Sequence, residues 1–377
     1  MSIRAGRYVH QLTGYKSFVP APLPPKPTIQ YDQELINLLS EANRELGRLD
    51  GIAVTLPNPD LFVAMYVKKE AVLSSQIEGT QASLVDILEF GIEQDKRLPQ
   101  DIGEVVNYVD AMNYGLERLQ SLPLSLRLIK EIHHILLNNT RGAEKSPGDF
   151  RNSQNWIGSA GSTLSTATFI PPNVEDMKQA MGELELYIHQ DDDLPWLLKV
   201  ALIHCQFETI HPFLDGNGRI GRLLITFLLC EKNILNKPLL YLSHYFKQNR
   251  SEYYDFLMKV RNKGDWEGWL KFFLKGVVSV SQQAILTSRN ILDLQFRHRS
   301  LVMEKNSSNA LRLLDFLYYK PILNVGNALE KLGLSFPTIN NLFNLFEELG
   351  ILHEKTGLQR NRVYMYSEYV QLLDEGI

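Results

Sequence analysis

Apolar positions repeat at three- and four-residue spacing along most of this chain, the signature of amphipathic helices. Leu35, Leu38, Leu39, Ala42, Leu46 and Leu49 share one face, and Gly51 should stop that helix. A second helix should run from near Asp60, whose side chain suits a cap, toward Glu78 and Gly79. Further helices are expected over residues 105–119, 126–137, 174–189, 195–209 and 216–232. Residues 251–260 and 266–289 continue the pattern, and a long helix should end near Arg299.

The pattern breaks between Asn138 and Pro172, where Gly142, Gly148, Gly158 and Gly161 stand among many Ser and Thr residues. Residues 155–157 and 167–170 read there as two short strands, a hairpin on a helical body. Ahead of the first helix, Pro20, Pro22, Pro24, Pro25 and Pro27 form an extended lead-in. It reads as a surface strap or as a ligand for an SH3-type domain. Past the polar residues 306–309 come helices over 310–318, 325–332 and 338–349, with a turn at Gly333, then strand-like pieces at 351–355 and 362–366. Three helices and a hairpin in that order resemble a winged helix. The fold class is therefore mainly α with a small α+β segment at the end.

Composition narrows the classes. With 44% hydrophobic and 22% charged residues in 377, the chain is ordinary for a globular protein, excluding wholesale disorder, a collagen-like chain and a disulfide scaffold. A net charge of -4 supplies no global field toward nucleic acid or anionic lipid, although a local basic patch stays open. Cys205 and Cys230 lie in helical segments without metal-ligand spacing and read as buried, reduced thiols. The first ten residues carry Arg4, Arg7 and His10 and no apolar core, so no signal peptide is expected. The most apolar stretch, residues 223–230, is far shorter than the ~20 residues of a membrane helix. The expectation is a soluble cytoplasmic protein.

The chemistry is concentrated in His211-Pro212-Phe213-Leu214-Asp215-Gly216-Asn217-Gly218-Arg219-Ile220-Gly221-Arg222. One helix ends near Thr209 and the next begins near Gly216, so the glycines stand at a helix N-terminus with free N–H groups and a positive dipole. Gly216 and Gly218 let anion oxygens approach the backbone, and Arg219 and Arg222 project from the first turn to fork onto further phosphates. Each such charge-assisted hydrogen bond is worth about 1.5–3 kcal/mol. Asp215 offers a hard oxygen for Mg²⁺ bound to phosphates, and His211 one turn earlier is a candidate general base. The combination points to in-line attack of a hydroxyl on a polyphosphate.

At every fixed position this run resembles the signature of the Fic (filamentation induced by cAMP) family, H-P-F-x-D-G-N-G-R-x-x-R. The resemblance spans roughly residues 59–276. It implies an all-helical, Mg²⁺-dependent adenylyltransferase that moves AMP from ATP onto a Tyr, Ser or Thr hydroxyl of a target protein. It assigns His211 as general base and Asp215 as Mg²⁺ ligand. Gly216, Asn217 and Gly218 become the anion hole, Arg219 and Arg222 the ligands of the β and γ phosphates, and Ile220 and Gly221 part of the nucleotide-binding run. The hairpin becomes a flap along the target segment, with Thr166, Ala167, Thr168 and Phe169 as nucleotide neighbours. Tyr253 and Tyr254 match a region against adenine, unless the pair is simply core. The kinase-like Doc branch carries Lys in place of Gly218, so Gly218 favours nucleotidyl over γ-phosphate transfer.

Ser74-Ser75-Gln76-Ile77-Glu78-Gly79 is similar to the family's inhibitory pattern, [S/T]-x-x-x-E-[G/N], in the class with an N-terminal inhibitory helix. That resemblance implies that Glu78 pairs with Arg222 and takes the fork meant for the γ-phosphate. The same glutamate could position water for removal of AMP, the reverse chemistry. His133, His134, His204 and His244 form no ligand set by spacing, and His204 reads as a packed core imidazole.

The resulting division is residues 1–100 as a helical region with the proline lead-in and inhibitory helix, 101–300 as the Fic core, and 301–377 as the winged-helix-like domain. That last domain keeps a rival reading alive, a DNA- or partner-binding regulator using the core as a nucleotide-dependent switch. Lys355, Arg360 and Arg362 fall on its wing, but residues 338–349 hold Glu347 and Glu348 and no basic side chain. A protein-docking or dimerising module is the other option, since relatives in this family self-associate.

Overall fold

The computed structural model describes residues 4–55, 59–90, 92, 99–159 and 161–375. It opens with an antiparallel pair, β1 (Gly6–His10) and β2 (Lys16–Pro20), followed by α1 (Gln33–Thr55), α2 (Pro59–Ile77), α3 (Leu84–Glu89), α4 (Gln100–Arg118) and α5 (Leu126–Leu136). After an irregular stretch come α6 (Val174–His189), α7 (Trp196–Ile210), α8 (Asn217–Glu231), α9 (Ser243–Gln248), α10 (Arg250–Lys263) and α11 (Trp266–Met303). The end of the chain holds α12 (Ser308–Tyr319), β3 (Ile322–Asn324), α13 (Val325–Leu332), α14 (Phe336–Glu348), β4 (His353–Glu354), β5 (Val363–Met365) and α15 (Ser367–Asp374).

Burial explains the arrangement. α7 is apolar almost all round, and every residue from Leu197 to Ile210 is buried, as expected of a helix at the centre of a domain. α8 is nearly as buried and packs on α7 through the loop that joins them. Around this pair stand α4, α5, α6, α10 and α11. α11 is a 38-residue spine capped by Asp265, whose side chain accepts the Gly268 N–H. α1 lies along it and buries Leu35, Ala42, Leu46 and Leu49.

Several expectations change. α1 runs through Gly51 to Thr55, because burial along α11 outweighs the roughly 1 kcal/mol that an internal glycine costs a helix. The long apolar segments after Trp266 form one helix, not two. Asp60 lies in the first turn of α2 and pairs with Lys237 at 2.6 Å. The expected flap strands meet only at one antiparallel bridge, Ile157 with Phe169, because the intervening glycines and hydroxyls form turns instead of a ladder. The β1–β2 hairpin, α3 and α9 were not expected, nor was β3, which makes the last sheet three-stranded in the order β3-β5-β4.

The N-terminal hairpin is tied to the site region, since the Phe18 N–H donates to the Ile170 carbonyl at 2.9 Å. Arg4 pairs with Glu267 and donates to the Pro27 and Thr28 carbonyls, holding the proline stretch over the body. The C-terminal elements touch α2 and α3 directly: Lys69 Nζ on α2 donates to the Glu375 carbonyl at 2.6 Å, and Lys355 pairs with Glu89. Cys205 is buried, Cys230 half-buried, and both are free. Among the described residues no helix is long and apolar enough to cross a membrane.

Candidate active site

The loop between α7 and α8 is held from several sides. His211 closes α7 in the left-handed region (φ 51), a conformation that costs a non-glycine residue about 1–3 kcal/mol. Its carbonyl accepts Arg151 Nε at 3.0 Å and Asn155 Nδ2 at 3.1 Å, which fixes that geometry. Asn155 Nδ2 also reaches the Phe213 carbonyl, and Asn217 grips Phe213 from the other side through both its N–H and its carbonyl. His133 accepts the Gly148 N–H at Nδ1, so its Nε2–H donates to the Asp215 carbonyl at 3.0 Å, and its ring stacks on Phe213 at 3.7 Å. Burial draws His133 down to about 4, so that tautomer stays neutral.

Gly216 caps α8 in the left-handed region (φ 75) and makes no side-chain cap hydrogen bond. Over that start lies a cavity of about 250 Å³ lined by Glu78, Trp156, Ile157, Gly158, Glu208, His211, Gly218, Arg222, Tyr253, Tyr254, Leu257 and Arg261. Gly218 leaves room for that carboxylate, since a Cβ there would lie 2.3 Å from Glu78 Oε1 and the acid would have to move. An internal carboxylate thus occupies the place an anion would take.

Glu78 follows the last turn of α2 and faces Arg222 on α8. Arg222 Nη2 donates to Glu78 Oε1 at 2.7 Å and to the Ser74 carbonyl at 2.9 Å, while Nε donates to Ser74 Oγ at 2.7 Å. Arg222 is buried; the Glu78 side chain keeps 35% of its surface open, toward the cavity. Burial works against the Glu78 charge, but the Arg222 guanidinium more than offsets it and holds the carboxyl below its ordinary range.

His211 is half-buried at the cavity wall. Burial first, then the charges of Arg261 and Arg151, pull its imidazole down to about 3, so it is neutral at physiological pH with Nδ1 unpartnered. Neutral imidazole is the form that accepts a proton. Behind it, Arg261 donates to the Glu208 carbonyl and Thr209 Oγ1 and lies 4.0 Å over the Phe169 ring.

The arginine pair diverges. Arg222 lines the cavity, but Arg219 turns away, with Nη2 3.5 Å from Asp215 Oδ1 and Nη1 3.8 Å from Glu104 Oε2. Residues three apart point about 60° apart on a helix, and the two acids draw Arg219 to the far side. Asn217 braces the loop with its side chain, Ile220 is core, and Gly221 makes room for Glu208, whose Oε1 would lie 2.3 Å from a Cβ there. Thr166, Ala167, Thr168 and Phe169 stand outside the cavity lining; the opposite flap segment, Trp156 to Gly158, forms that wall. Tyr253 is both core and lining: buried, stacked on Phe246 at 4.5 Å, and donating its OH to His204 Nε2 at 2.9 Å while His204 Nδ1–H donates to the Gly221 carbonyl.

The two oxygens of Asp215 have different surroundings. Oδ1 accepts the Gly216 N–H at 2.6 Å, leaving Oδ2 beside the Gly142 turn. Among the described residues no cluster of three or more ligand side chains exists, so a metal here would need phosphate oxygens and water, as Mg²⁺ takes. The sequence reading missed Arg151, Asn155, His133 and Glu208. Only Glu208 had a visible signal, as the single acid within the apolar run of α7.

A helical body with a glycine-rich helix start beneath an arginine, and a half-buried histidine beside it, is the build of a Fic-type protein. A model of the Fic/DOC family N-terminal region matches residues 36–117 and one of the Fic/DOC family matches residues 123–229, together half of the chain. The chain belongs to the Fic/DOC family. A "Protein adenylyltransferase Fic" from Drosophila grimshawi is 31% identical over 216 residues, covering 54% of this chain and 41% of the relative. One of the same name from Drosophila mojavensis is 32% identical, covering 54% and 39%. The chain thus spans about two fifths of the length of these relatives. A Fic family protein from Desulfovibrio desulfuricans G20 shares the fold at TM-score 0.60 and 19% identity, over 90% of this chain and 97% of that one. A Fic domain containing signaling protein from Bacteroides thetaiotaomicron does so at 0.51 and 18%, over 68% and 97%.

Proposed function

We propose that this chain is a protein adenylyltransferase: it transfers AMP from ATP to a Tyr, Ser or Thr hydroxyl of a target protein, itself included, and Glu78 restrains it. The observation that carries this reading is the Glu78 carboxylate over Gly218, paired with Arg222 at the open start of α8. A built-in acid there marks where a polyphosphate binds.

In the reaction, neutral His211 takes the proton of the target hydroxyl as its oxygen bonds to the α-phosphorus. The bond from that phosphorus to the bridging oxygen breaks, and pyrophosphate leaves. Helix-start N–H groups and Arg222 steady the charge on the phosphates. Asp215 Oδ2 would hold Mg²⁺, which when bound neutralises phosphate charge. Trp156 to Gly158 form the wall beside the entering hydroxyl. With Glu78 in place, Arg222 is unavailable to the γ-phosphate.

The names of the Drosophila relatives support adenylyl transfer. The C-terminal segment, winged-helix-like in its element order, serves protein contacts in preference to DNA. α14 carries Glu347 and Glu348 without Lys or Arg, and the segment already grips α2 and α3. A homodimer through this segment fits the same chemistry.

The test is incorporation of label from ATP into lysate proteins by the Glu78→Gly chain, with α-phosphate label in one tube and γ-phosphate label in another. Incorporation of the α label alone, abolished by His211→Ala, is expected. Signal from the γ label alone would mean kinase chemistry and remove the proposal.

A further inference from the structure

Glu208 is unaccounted for by any step above. It is 6% exposed, its Oε1 has no hydrogen-bond partner, and it lines the same cavity as Glu78, His211 and Arg222. The fold has made room for it, because Gly221 on the facing helix offers no Cβ, and one there would sit 2.3 Å from Oε1. Its backbone is fixed as well, with its carbonyl accepting Arg261 Nη2 at 3.0 Å. A buried polar atom left unpaired costs about 1–3 kcal/mol, and such an atom aimed into a cavity is satisfied when a ligand arrives.

We infer that Glu208 is a specificity-determining residue that couples polyphosphate binding to its own protonation. As a neutral acid it donates a hydrogen bond to an oxygen of the bound nucleotide. Once ionised, it repels the phosphates and competes with them for Arg222. The inference rests on the nucleotide reading of the cavity and adds a proton to it.

The surroundings place this exchange near neutral pH. Burial first, then the Glu78 charge, push Glu208 upward against the pull of Arg222 and Arg261, leaving it at about 7. The other groups facing it are fixed in that range. On its own helix, burial holds His204 and His211 at about 3 and raises Cys205 to about 12. From α10, Tyr253 and Tyr254 are raised by burial, and Arg261 stays cationic. From α8 and the end of α2, Arg222 stays cationic and Glu78 anionic.

The test is calorimetric titration of the full chain carrying His211→Ala, which blocks turnover, with ATP and Mg²⁺ from pH 6 to pH 8. The neutral fraction of Glu208 falls about tenfold over that range, so ATP affinity should fall about tenfold beyond the ligand's own titration. The same chain with Glu208→Gln keeps a donor that cannot ionise, and its excess pH dependence should vanish. Gly221→Ala, whose Cβ displaces the carboxyl, should flatten the profile by a second route. ATP binding with parallel profiles in all three chains would overturn the role of Glu208 alone. No ATP binding at any pH by any of them, nor by the same chains with Glu78→Gly added, would overturn the nucleotide reading, and this inference with it.

Discussion

Arg222 and Glu78 meet through a single hydrogen bond of 2.7 Å from Nη2, which also donates to the Ser74 carbonyl, while Nε donates to Ser74 Oγ one turn earlier on α2. α2 and the residue that follows it therefore hold the arginine by three hydrogen bonds, of which only one belongs to the glutamate. Removing Glu78 frees the fork without releasing Arg222 from the site.

Glu78→Gly should consequently shift stability and activity in opposite directions. Breaking a fully desolvated pair costs about 3–5 kcal/mol, but Glu78 faces cavity water, so a loss of about 1–3 kcal/mol is expected. ATP-dependent labelling should rise at least tenfold, equivalent to about 1.4 kcal/mol in the competent population. Thermal melts with and without ATP check both halves: a lower midpoint that ATP restores is expected. A midpoint equal to the parent's with unchanged labelling would remove the brake.

Gly218→Ala separates the brake from the cradle. The residue lies within α8, where alanine is favoured over glycine by about 1 kcal/mol, so the fold should tolerate the change. The new Cβ would stand 2.3 Å from Glu78 Oε1 and 3.0 Å from Arg222 Nη1, so the acid must move. The same methyl blocks phosphate approach, and labelling should stay low although the brake is displaced. Calorimetry should show ATP affinity at least tenfold weaker than in Glu78→Gly. Labelling as high as in Glu78→Gly would mean that no close approach to Gly218 is needed.

Much of this site was legible because its groups are contiguous in the chain: the turn from His211 to Arg222 writes helix end, glycine start and charge in one run. Glu78 was legible through the resemblance of residues 74–79 to the family's inhibitory pattern, since an acid before a glycine is by itself only a helix end. The divergence of Arg219 was not, since Glu104, which draws it away, comes from a helix more than a hundred residues earlier. Arg151, Asn155 and His133 act on backbone carbonyls of the loop, and nothing in a sequence says which carbonyl a side chain will reach. The flap failed for a related reason, because one bridge does not make the alternating pattern of a ladder. The β1–β2 hairpin was hidden behind the prolines, although Tyr8 and Val9 pair with Phe18 and Ser17 around a turn at Gly14.

Buried titratable groups set an unusual acid limb. His133, His204 and His211 sit at about 4, 3 and 3, well below the ordinary 6.5, because burial disfavours their charge. The unfolded chain binds those protons first, so their stabilisation is complete above pH 6.5 and is lost as pH falls toward 3. Glu70 and Glu208, raised by burial from 4.5 to about 7, act the other way: their contribution is complete below pH 4.5 and is lost as pH rises through 7. Between pH 4.5 and 6.5 the two glutamates offset two of the three histidines, leaving a slope of about 1.4 kcal/mol per pH unit. Below that range the histidines act alone, each at about 1.4 kcal/mol per pH unit. Urea midpoints from pH 7 to pH 4 should be shallow, then steep. Glu70→Gln with Glu208→Gln should start the steep limb near pH 6.5, and a profile identical to the parent's would contradict this balance.

His133→Phe tests whether the loop, more than the charge, positions Asp215. Phenylalanine keeps the stack on Phe213 but orphans the Gly148 N–H and the Asp215 carbonyl, each at about 1–3 kcal/mol. Stability should fall by roughly that amount. In the Glu78→Gly background the labelling rate at saturating ATP should also fall, because the peptide carrying the Asp215 carboxylate loses its anchor. Higher Mg²⁺ should recover part of that rate, whereas a purely structural defect would not respond to the cation. Glu78→Gly,His133→Phe labelling as fast as Glu78→Gly at every Mg²⁺ concentration would show that Phe213 and Asn217 hold the loop without the imidazole.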